Sequence, residues 1–406
     1  MLLSGSAVHA LAAPAPEPYS TLTTTCDGLP RVDVDTAPGY CLGLVMAPVT
    51  GKFHQRQIRT PRVLLQLPDA ERWLLSDLGG WTSGRGKVWR LRLEASGNLQ
   101  RRAIATGLSL PHTLAYGPDG AIYLAEMHRI SRLDPDSGAL TPVIEGLPAN
   151  QLHIGRHPLS HFVFDGNGDL LVNVGADTDQ CEIEARGAAG ACEEADGPAP
   201  RAALRRYRYR ADGSWDPQPL VEARGLRNSL VLLRHASGTL LQAENSYDFA
   251  PTEPRPHDEL NVLRTGAHYG WPYCYDRDER TPAWRDRAPL ACDSAAHAQP
   301  AVLLPPHSAP LGGLYYDGAL LPALRGKLLL SLHGYFPTGS RILAYTVDER
   351  GVPLAGEPLD LTPGWAYRAG RRPAGAPVAL TVARDGSLWI ADDRNGAVLR
   401  LSIDRP

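Results

Sequence analysis

The sequence predicts an all-β fold, specifically a six-bladed β-propeller, and three observations carry that expectation. A unit of strand, tight turn and strand recurs six times between Val63 and Ile390. The composition is turn-rich, with 40 Gly and 36 Pro among 406 residues. No segment shows the 3.6-residue apolar period of an amphipathic helix over about 12 residues. A β-sandwich is the alternative all-β fold, but it does not readily explain six similar units in one chain.

The first unit reads Val63-Leu64-Leu65-Gln66-Leu67, a turn at Pro68-Asp69, then Trp73-Leu74-Leu75. The second is Leu114-Ala115-Tyr116, Pro118-Asp119-Gly120, Ile122-Tyr123-Leu124, and the third Phe162-Val163-Phe164, Gly166-Asn167-Gly168, Leu170-Leu171-Val172. The fourth pairs Leu230–Leu233 with Leu240-Leu241 across Ser237-Gly238. The fifth pairs Leu314-Tyr315-Tyr316 with Leu328-Leu329-Leu330 across Arg325-Gly326. The sixth is Leu380-Thr381-Val382, Asp385-Gly386, Leu388-Trp389-Ile390. Asp-Gly and Asn-Gly suit hairpin turns because both residues tolerate positive φ. The segment Leu29 to Val45, with strand-like Arg31-Val32-Asp33-Val34, precedes the first unit and is placed to close the ring by pairing into the last blade. Residues 21–406 thus read as a single propeller domain. Residues 1–20 read as a signal-peptide remnant or a disordered N-terminus, because Ala7-Val8-His9-Ala10-Leu11-Ala12-Ala13 has cleavage-site residues without a basic lead.

A net charge of −3 gives no electrostatic reason for a nucleic-acid or anionic-membrane partner. No later segment approaches about 18 uninterrupted apolar residues, so no membrane span is expected. The six cysteines fall into three local pairs, Cys26/Cys41, Cys181/Cys192 and Cys274/Cys292, and none lies in a Cys-x-x-Cys. Local proximity makes three loop-stapling disulfides the simplest connectivity, and with it an oxidising location, periplasmic or secreted. Buried free thiols of a cytosolic protein are the other reading. No Cys-x-x-Cys-His occurs, so no haem c attachment is built into the sequence given.

Several short blocks run in order along the chain: Leu110-Pro111-His112, His157-Pro158-Leu159-Ser160, Gly225-Leu226-Arg227-Asn228, Asp258-Glu259-Leu260-Asn261, Tyr269-Gly270-Trp271-Pro272 and His307-Ser308-Ala309-Pro310-Leu311-Gly312. Each is weak alone. As an ordered set they resemble the soluble sugar dehydrogenases that use pyrroloquinoline quinone (PQQ), the aldose, glucose and sorbosone dehydrogenases. That resemblance implies oxidation of an aldose or related hemiacetal to its lactone, with hydride passing to PQQ, Ca²⁺ as second cofactor, and electrons leaving to an external acceptor.

The resemblance places the catalytic base at His157, a residue type whose ordinary pKa lies near neutrality. His153 and His161 compete for the role, and a turn histidine without a role is the plainer reading. Arg227 and Asn228 match the family's pair beside the cofactor, where an Arg fork suits carboxylates and a carbonyl that becomes anionic on reduction. A structural Arg paired with a rim acid is the alternative. His333 falls where glucose-type relatives place a Lys. Arg372 lies slightly upstream of their paired arginines, which align here with Ala376 and Val378, and Arg368 and Arg371 are further choices. His112 resembles the histidine of sorbosone-type members. The catalytic Ca²⁺ would rest on the carbonyls of Ser246 and Tyr247, although a Gly-Pro usual in the family is absent there. Glu259 and the Tyr269 carbonyl, with Asp276 or Asp278, would hold a structural Ca²⁺. Glu244 and Asn245 offer further oxygens, and Tyr335, Phe336, Trp365 and Tyr367 could wall the site. A non-catalytic carbohydrate- or protein-binding propeller, and a Ca²⁺-dependent lactonase with carboxylates and Asn on the central axis, are the alternative functions.

Overall fold

In the computed structural model, residues 19–47, 57–94, 99–149, 157–182, 190–247, 254–285, 289–334, 336–365 and 375–405 are described. They form six antiparallel blades arranged as a β-propeller. Blade 1 comprises Pro61–Gln66, Arg72–Asp77, Gly86–Leu93 and Leu99–Leu108, and blade 2 Leu114–Tyr116, Ile122–Glu126, Arg129–Leu133 and Leu140–Ile144. Blade 3 holds Phe162–Phe164, Leu170–Val174, Ala203–Tyr207 and Leu220–Arg224, with Ala267–His268 added in parallel at its edge. Ser229–Arg234, Leu240–Glu244, His257–Val262 and Val302–Pro306 make blade 4. Pro310–Tyr315, Leu328–Leu332, Arg341–Tyr345 and Leu359–Asp360 make blade 5. All six predicted hairpins are the first two strands of a blade. The one α-helix among the described residues is the short Glu193–Asp196.

Blade 6 closes the ring. Its Pro377–Val382, Leu388–Asp392 and Ala397–Ile403 are joined by Tyr40–Met46, which pairs antiparallel with Ala397–Ile403, and Leu29–Val32 and Thr21–Cys26 continue the sheet outward. The closing strand is therefore Tyr40–Met46, and the strand containing Arg31 lies one layer further out. Across the seam, Trp73 of blade 1 stacks on Trp389 of blade 6, with ring centroids 4.1 Å apart.

The turns correct one detail of the sequence reading. In the second and third hairpins only the glycine takes positive φ, Gly120 at 75° and Gly168 at 85°. Asp119 instead accepts the Ala121 N–H at 3.0 Å through its carboxylate. These are longer turns that end on a left-handed glycine, and their acidic residue works as a hydrogen-bond acceptor.

The three disulfides pair as predicted: Cys26–Cys41, Cys181–Cys192 and Cys274–Cys292. The last two sit in one apolar cluster with Tyr247, Trp271, Tyr273 and Trp284, beside blades 3 and 4. Trp365 packs into the core shared by blades 5 and 6 and does not wall a site.

Blade 4 buries two acids side by side. Glu244 and Glu259 are direct cross-strand partners, and each carboxylate has a side-chain amide neighbour, Gln242 and Asn261 respectively. Burial raises both carboxyls. The charge of Glu259 adds to the rise at Glu244, and Asp276 and Asp258 add to it at Glu259, which is pushed up to about 8.

Two predictions follow from this packing. Trp389→Ala should cost about 3–5 kcal/mol by chemical denaturation; a loss under about 1 kcal/mol would leave closure to strand pairing alone. For Glu259, the folded state holds a proton that the unfolded state has released between pH 4.5 and about 8. Stability should fall as pH rises through that window and level off above it. In chelator-treated protein, Glu259→Gln should flatten this decline, visible as a melting temperature that no longer drops by a few degrees from pH 5 to 8. An unchanged slope would assign the decline to other groups.

Candidate active site

In an antiparallel blade the start of the first strand and the end of the second lie at the same end. Pro61 pairs with Asp77, Ser229 with Glu244, Pro310 with Leu332 and Pro377 with Asp392. Residues just before first strands and just after second strands therefore converge around the ring axis. They enclose a cavity of about 590 Å³ that brings together Arg62, His157, Arg227, Asn228, Asn245, Ser246, Tyr247, Asp258, His307, His333 and Asp393. His157, Arg227, Asn228, His333, Ser246 and Tyr247 are thus gathered as the sequence suggested.

His157 is 7% exposed, and its Nδ1 lies 2.8 Å from the Ala176 carbonyl oxygen. A carbonyl only accepts, so Nδ1 carries the proton of the neutral ring and Nε2 is the basic nitrogen. His161 takes a different place. Its Nδ1 lies 2.7 Å from Thr113 Oγ1, which in turn lies 3.0 Å from His112 Nδ1. This chain ties both rings to a separate axial cavity of about 340 Å³, lined otherwise by first-strand residues such as Leu232, Leu233 and Phe164. Burial lowers both histidines, His161 to about 4. His112 is therefore not among the residues of the main cavity. Nor does the axial cavity carry a carboxylate among the described residues, as the lactonase alternative would need.

Arg227 is 2% exposed and fully engaged. Its Nη2 donates to the Asp179 carboxylate, Nη1 to the carbonyls of Asn245 at 3.0 Å and Ser246 at 2.6 Å, and Nε to the Asp179 carbonyl at 3.3 Å. The disulfide-stapled cluster fixes Asp179: Trp271 Nε1 donates to its carbonyl at 2.8 Å, and Trp284 Nε1 to that of Gln180 at 3.2 Å. Asp258 clips the neighbouring loops, accepting Ser246 N–H at 2.9 Å, the Ser308 hydroxyl at 2.9 Å and Ala309 N–H at 2.7 Å. Burial nevertheless raises its carboxyl.

Part of the expected Ca²⁺ donor set is already engaged within the protein. The Ser246 carbonyl already accepts from the Arg227 guanidinium at 2.6 Å. Glu259, inside blade 4 beside Asn261, also lies against Asp276, the acid expected to share a structural ion with it. Among the described residues, no group of three or more His, Cys, Asp or Glu is arranged to hold a metal. At the Ser246 carbonyl the residues do not fit the ion, because a fixed guanidinium already stands there.

A second charged network was not read from the sequence. His333 Nε2 lies 2.8 Å from Asp393 Oδ1, and Arg62 Nη2 lies 3.0 Å from Asp393 Oδ2. Burial acts to raise Asp393, but His333 and Arg62 outweigh it and hold its carboxyl below the usual range. Arg62 is 2% exposed, and its Nε and Nη1 are buried without a hydrogen-bond partner. Asn228 Oδ1 is likewise buried without one. Unpaired donors on a buried cation cost free energy unless a ligand accepts them. Repeat alignment was the available signal: Asp393 follows the second strand of blade 6 as His333 follows that of blade 5. Arg62 is the one charge in an otherwise largely apolar first strand. Arg372, Arg368, Arg371, His153, Tyr335 and Tyr367 lie outside the described residues.

Residues 143–334 match the family model described as Glucose / Sorbosone dehydrogenase. Among solved structures, the holo form of the PQQ domain of pyranose dehydrogenase from Coprinopsis cinerea is 20% identical, with TM-score 0.66 over 93% of this chain and 99% of that one. A calcium structure of a Trichoderma reesei Carbohydrate-Active Enzymes Family AA12 protein is 18% identical, with TM-score 0.67 over 91% and 97%. PQQ-bound aldose sugar dehydrogenase from Streptomyces coelicolor is 16% identical, with TM-score 0.59 over 91% and 100%. At these identities the structures show the shared fold. No curated protein matches in the sequence search. The resemblance carried by the ordered motifs therefore holds: this chain is similar to the glucose and sorbosone dehydrogenases, in sequence over residues 143–334 and in fold over about nine-tenths of its length.

Proposed function

We propose that the main cavity binds PQQ and that the protein oxidises the anomeric hydroxyl of an aldose or related hemiacetal to a lactone. The observation that carries this reading is the lining of the main cavity, which brings the cations Arg62 and Arg227 together with His157, His333 and Asn228. A polycarboxylate such as PQQ would meet the positive charge of Arg62 and Arg227 there, with His333 beside Asp393 at the same wall. The match of residues 143–334 to the glucose and sorbosone dehydrogenases supports the same assignment. Arg372, which the resemblance also gives to the cofactor, stays a candidate on that ground alone.

PQQ, when bound, supplies the acceptor for the hydride leaving the anomeric carbon. His157 Nε2 takes the hydroxyl proton as the carbon–oxygen double bond forms, while the Ala176 carbonyl holds Nδ1–H and keeps the basic nitrogen oriented. Arg227 places a fixed positive charge at the cavity wall, held there by Asp179, where it favours an oxygen gaining negative charge. Electrons then leave to an external acceptor. No helix among the described residues is long and apolar enough to cross a membrane, and the three disulfides support a periplasmic or secreted location.

Reconstitution decides the reading. PQQ added to the purified protein should bind at micromolar concentration and support dye reduction with aldoses; no binding would leave a non-catalytic propeller. His157→Ala should lower kcat by about 10²–10⁴-fold while PQQ affinity stays within about twofold, and full turnover in that variant would remove His157 from the role. Because Arg227 already satisfies the Asn245 and Ser246 carbonyls, PQQ affinity should survive EGTA. A loss of tenfold or more on chelation would restore the metal to the site.

A further inference from the structure

We propose that the axial cavity is a second small-molecule site, which takes a neutral phenol with its ring between the inner strands and its hydroxyl donating to His112 Nε2. The site is separate from the cavity assigned to the cofactor, and the inference stands whether or not that cavity binds PQQ.

Each blade contributes its first strand to the wall, through Val63, Leu114, Phe164, Leu232, Gly312 and Leu380. The volume of about 340 Å³ lies near the lower end of the range of about 300–1,000 Å³ typical of ligand sites, and suits a small aromatic molecule. Leu230 and Leu311 line both cavities and form the partition between them. Tyr116 ends the first strand of blade 2 and is 37% exposed, so the axial cavity opens to solvent on the face opposite the main one.

The polar end of the cavity is built from His112, Thr113 and His161. Burial holds both rings below the usual histidine pKa, so each is neutral near physiological pH, with one N–H and one lone pair. His161 meets the Leu232 backbone in a hydrogen bond that favours its protonated form, so a ring N–H donates there to the carbonyl. Its Nδ1 faces Thr113 Oγ1 at 2.7 Å, which puts that N–H on Nε2 and leaves Nδ1 to accept the Thr113 hydroxyl. The Thr113 oxygen, its own proton used, accepts Nδ1–H of His112 at 3.0 Å. His112 Nε2 is therefore a lone-pair acceptor. No described residue bonds to it, on a side chain that is 3% exposed and lines the cavity. A buried acceptor is costly to leave without a donor, and a ligand that donates recovers that cost.

The charge around this nitrogen selects the ligand. Arg62 bears on His112 strongly enough to lower it further, so a cation or a metal ion would meet like charge. A lone pair offers nothing to a carboxylate or a phosphate. What remains is a neutral donor, and a phenol hydroxyl is a stronger donor than that of an alcohol. Phe162 and Phe164 meet edge-on with ring centroids 5.5 Å apart and line the same cavity. With the leucines of blade 4 they give the wall an apolar surface that favours an aromatic ring over a hydrated polyol.

Fluorine NMR on the purified protein, with nitrogen-15 labelling of histidine, tests the site. The probes are 4-fluorophenol and 4-fluorotoluene, which differ in the hydroxyl alone. Wild type should bind the phenol roughly tenfold more tightly, the margin of one buried hydrogen bond, and only the phenol should shift the His112 Nε2 signal. His112→Phe should bring the two Kd values within about twofold of each other. Leu233→Trp, which fills the cavity from the blade 4 strand, should weaken both probes by roughly tenfold or more. Equal affinities in wild type, or a shift at His157 in place of His112, would overturn the site. Phenol binding unchanged in both variants would do the same. The wild-type comparison decides the hydrogen bond even where His112→Phe does not fold.

Discussion

Everything in this protein that could do chemistry depends on the ring closing in one register. The main cavity belongs to no single blade: Arg62 enters from blade 1, His157 precedes blade 3, Arg227 and Asn228 precede blade 4, His333 leaves blade 5 and Asp393 leaves blade 6. The Arg62–Asp393 ion pair lies directly across the seam where chain start and chain end meet. The Trp73–Trp389 stack and the pairing of Tyr40–Met46 with Ala397–Ile403 hold that seam. A slip of one residue in the closing strand would turn its apolar side chains to the wrong face and undo its pairing with Ala397–Ile403.

Buried charge sets the second constraint. A buried ion pair is expensive to form and costly to break, yet this cavity keeps two, Arg62–Asp393 and Arg227–Asp179. They differ in what remains unsatisfied. Arg227 spends its donors on Asp179 and three backbone carbonyls, so it behaves as a fixed element of the wall. Arg62 spends one nitrogen on Asp393 and leaves two unpaired. The first arrangement is complete without a ligand. The second leaves donor nitrogens of a buried cation unmatched, a cost the Asp393 pairing offsets only in part.

The fold was legible because hairpin turns and apolar pairs are local signals, and each of the six units carries both. Disulfide pairing was legible for the same reason, since each bridge closes a short loop. The site was legible only in part. His157, Arg227, Asn228 and His333 sit in motifs that a resemblance can carry, and the structure gathers them. Asp393 and Arg62 have no motif of their own and become visible only when equivalent positions of successive blades are laid together. His112 and Glu259 lie elsewhere than the main cavity: His112, two residues before the first strand of blade 2, is tied through Thr113 to His161 beside the axial cavity, and strand alternation turns Glu259 into the interior of blade 4. Sequence gives the residue type, and the pleat decides which way it faces.

The absence of Gly-Pro after Asn245 can now be given a physical meaning. With Ser246 and Tyr247 in that place, Ser246 N–H is held by Asp258 and its carbonyl by Arg227, while Tyr247 anchors the disulfide cluster through the Cys274 carbonyl at 3.2 Å. The loop is thereby knitted into protein partners on both sides. Carbonyls bonded this way to a guanidinium are poor candidates for a divalent cation, since the ion would have to displace a charge-assisted hydrogen bond and then face the displaced guanidinium. What a metal would do for the wall elsewhere, supplying positive charge and fixing the loop, is done here by Arg227 with Asp179 as its counter-charge. The wall at this loop therefore carries a fixed positive charge, supplied by Arg227 and balanced by Asp179.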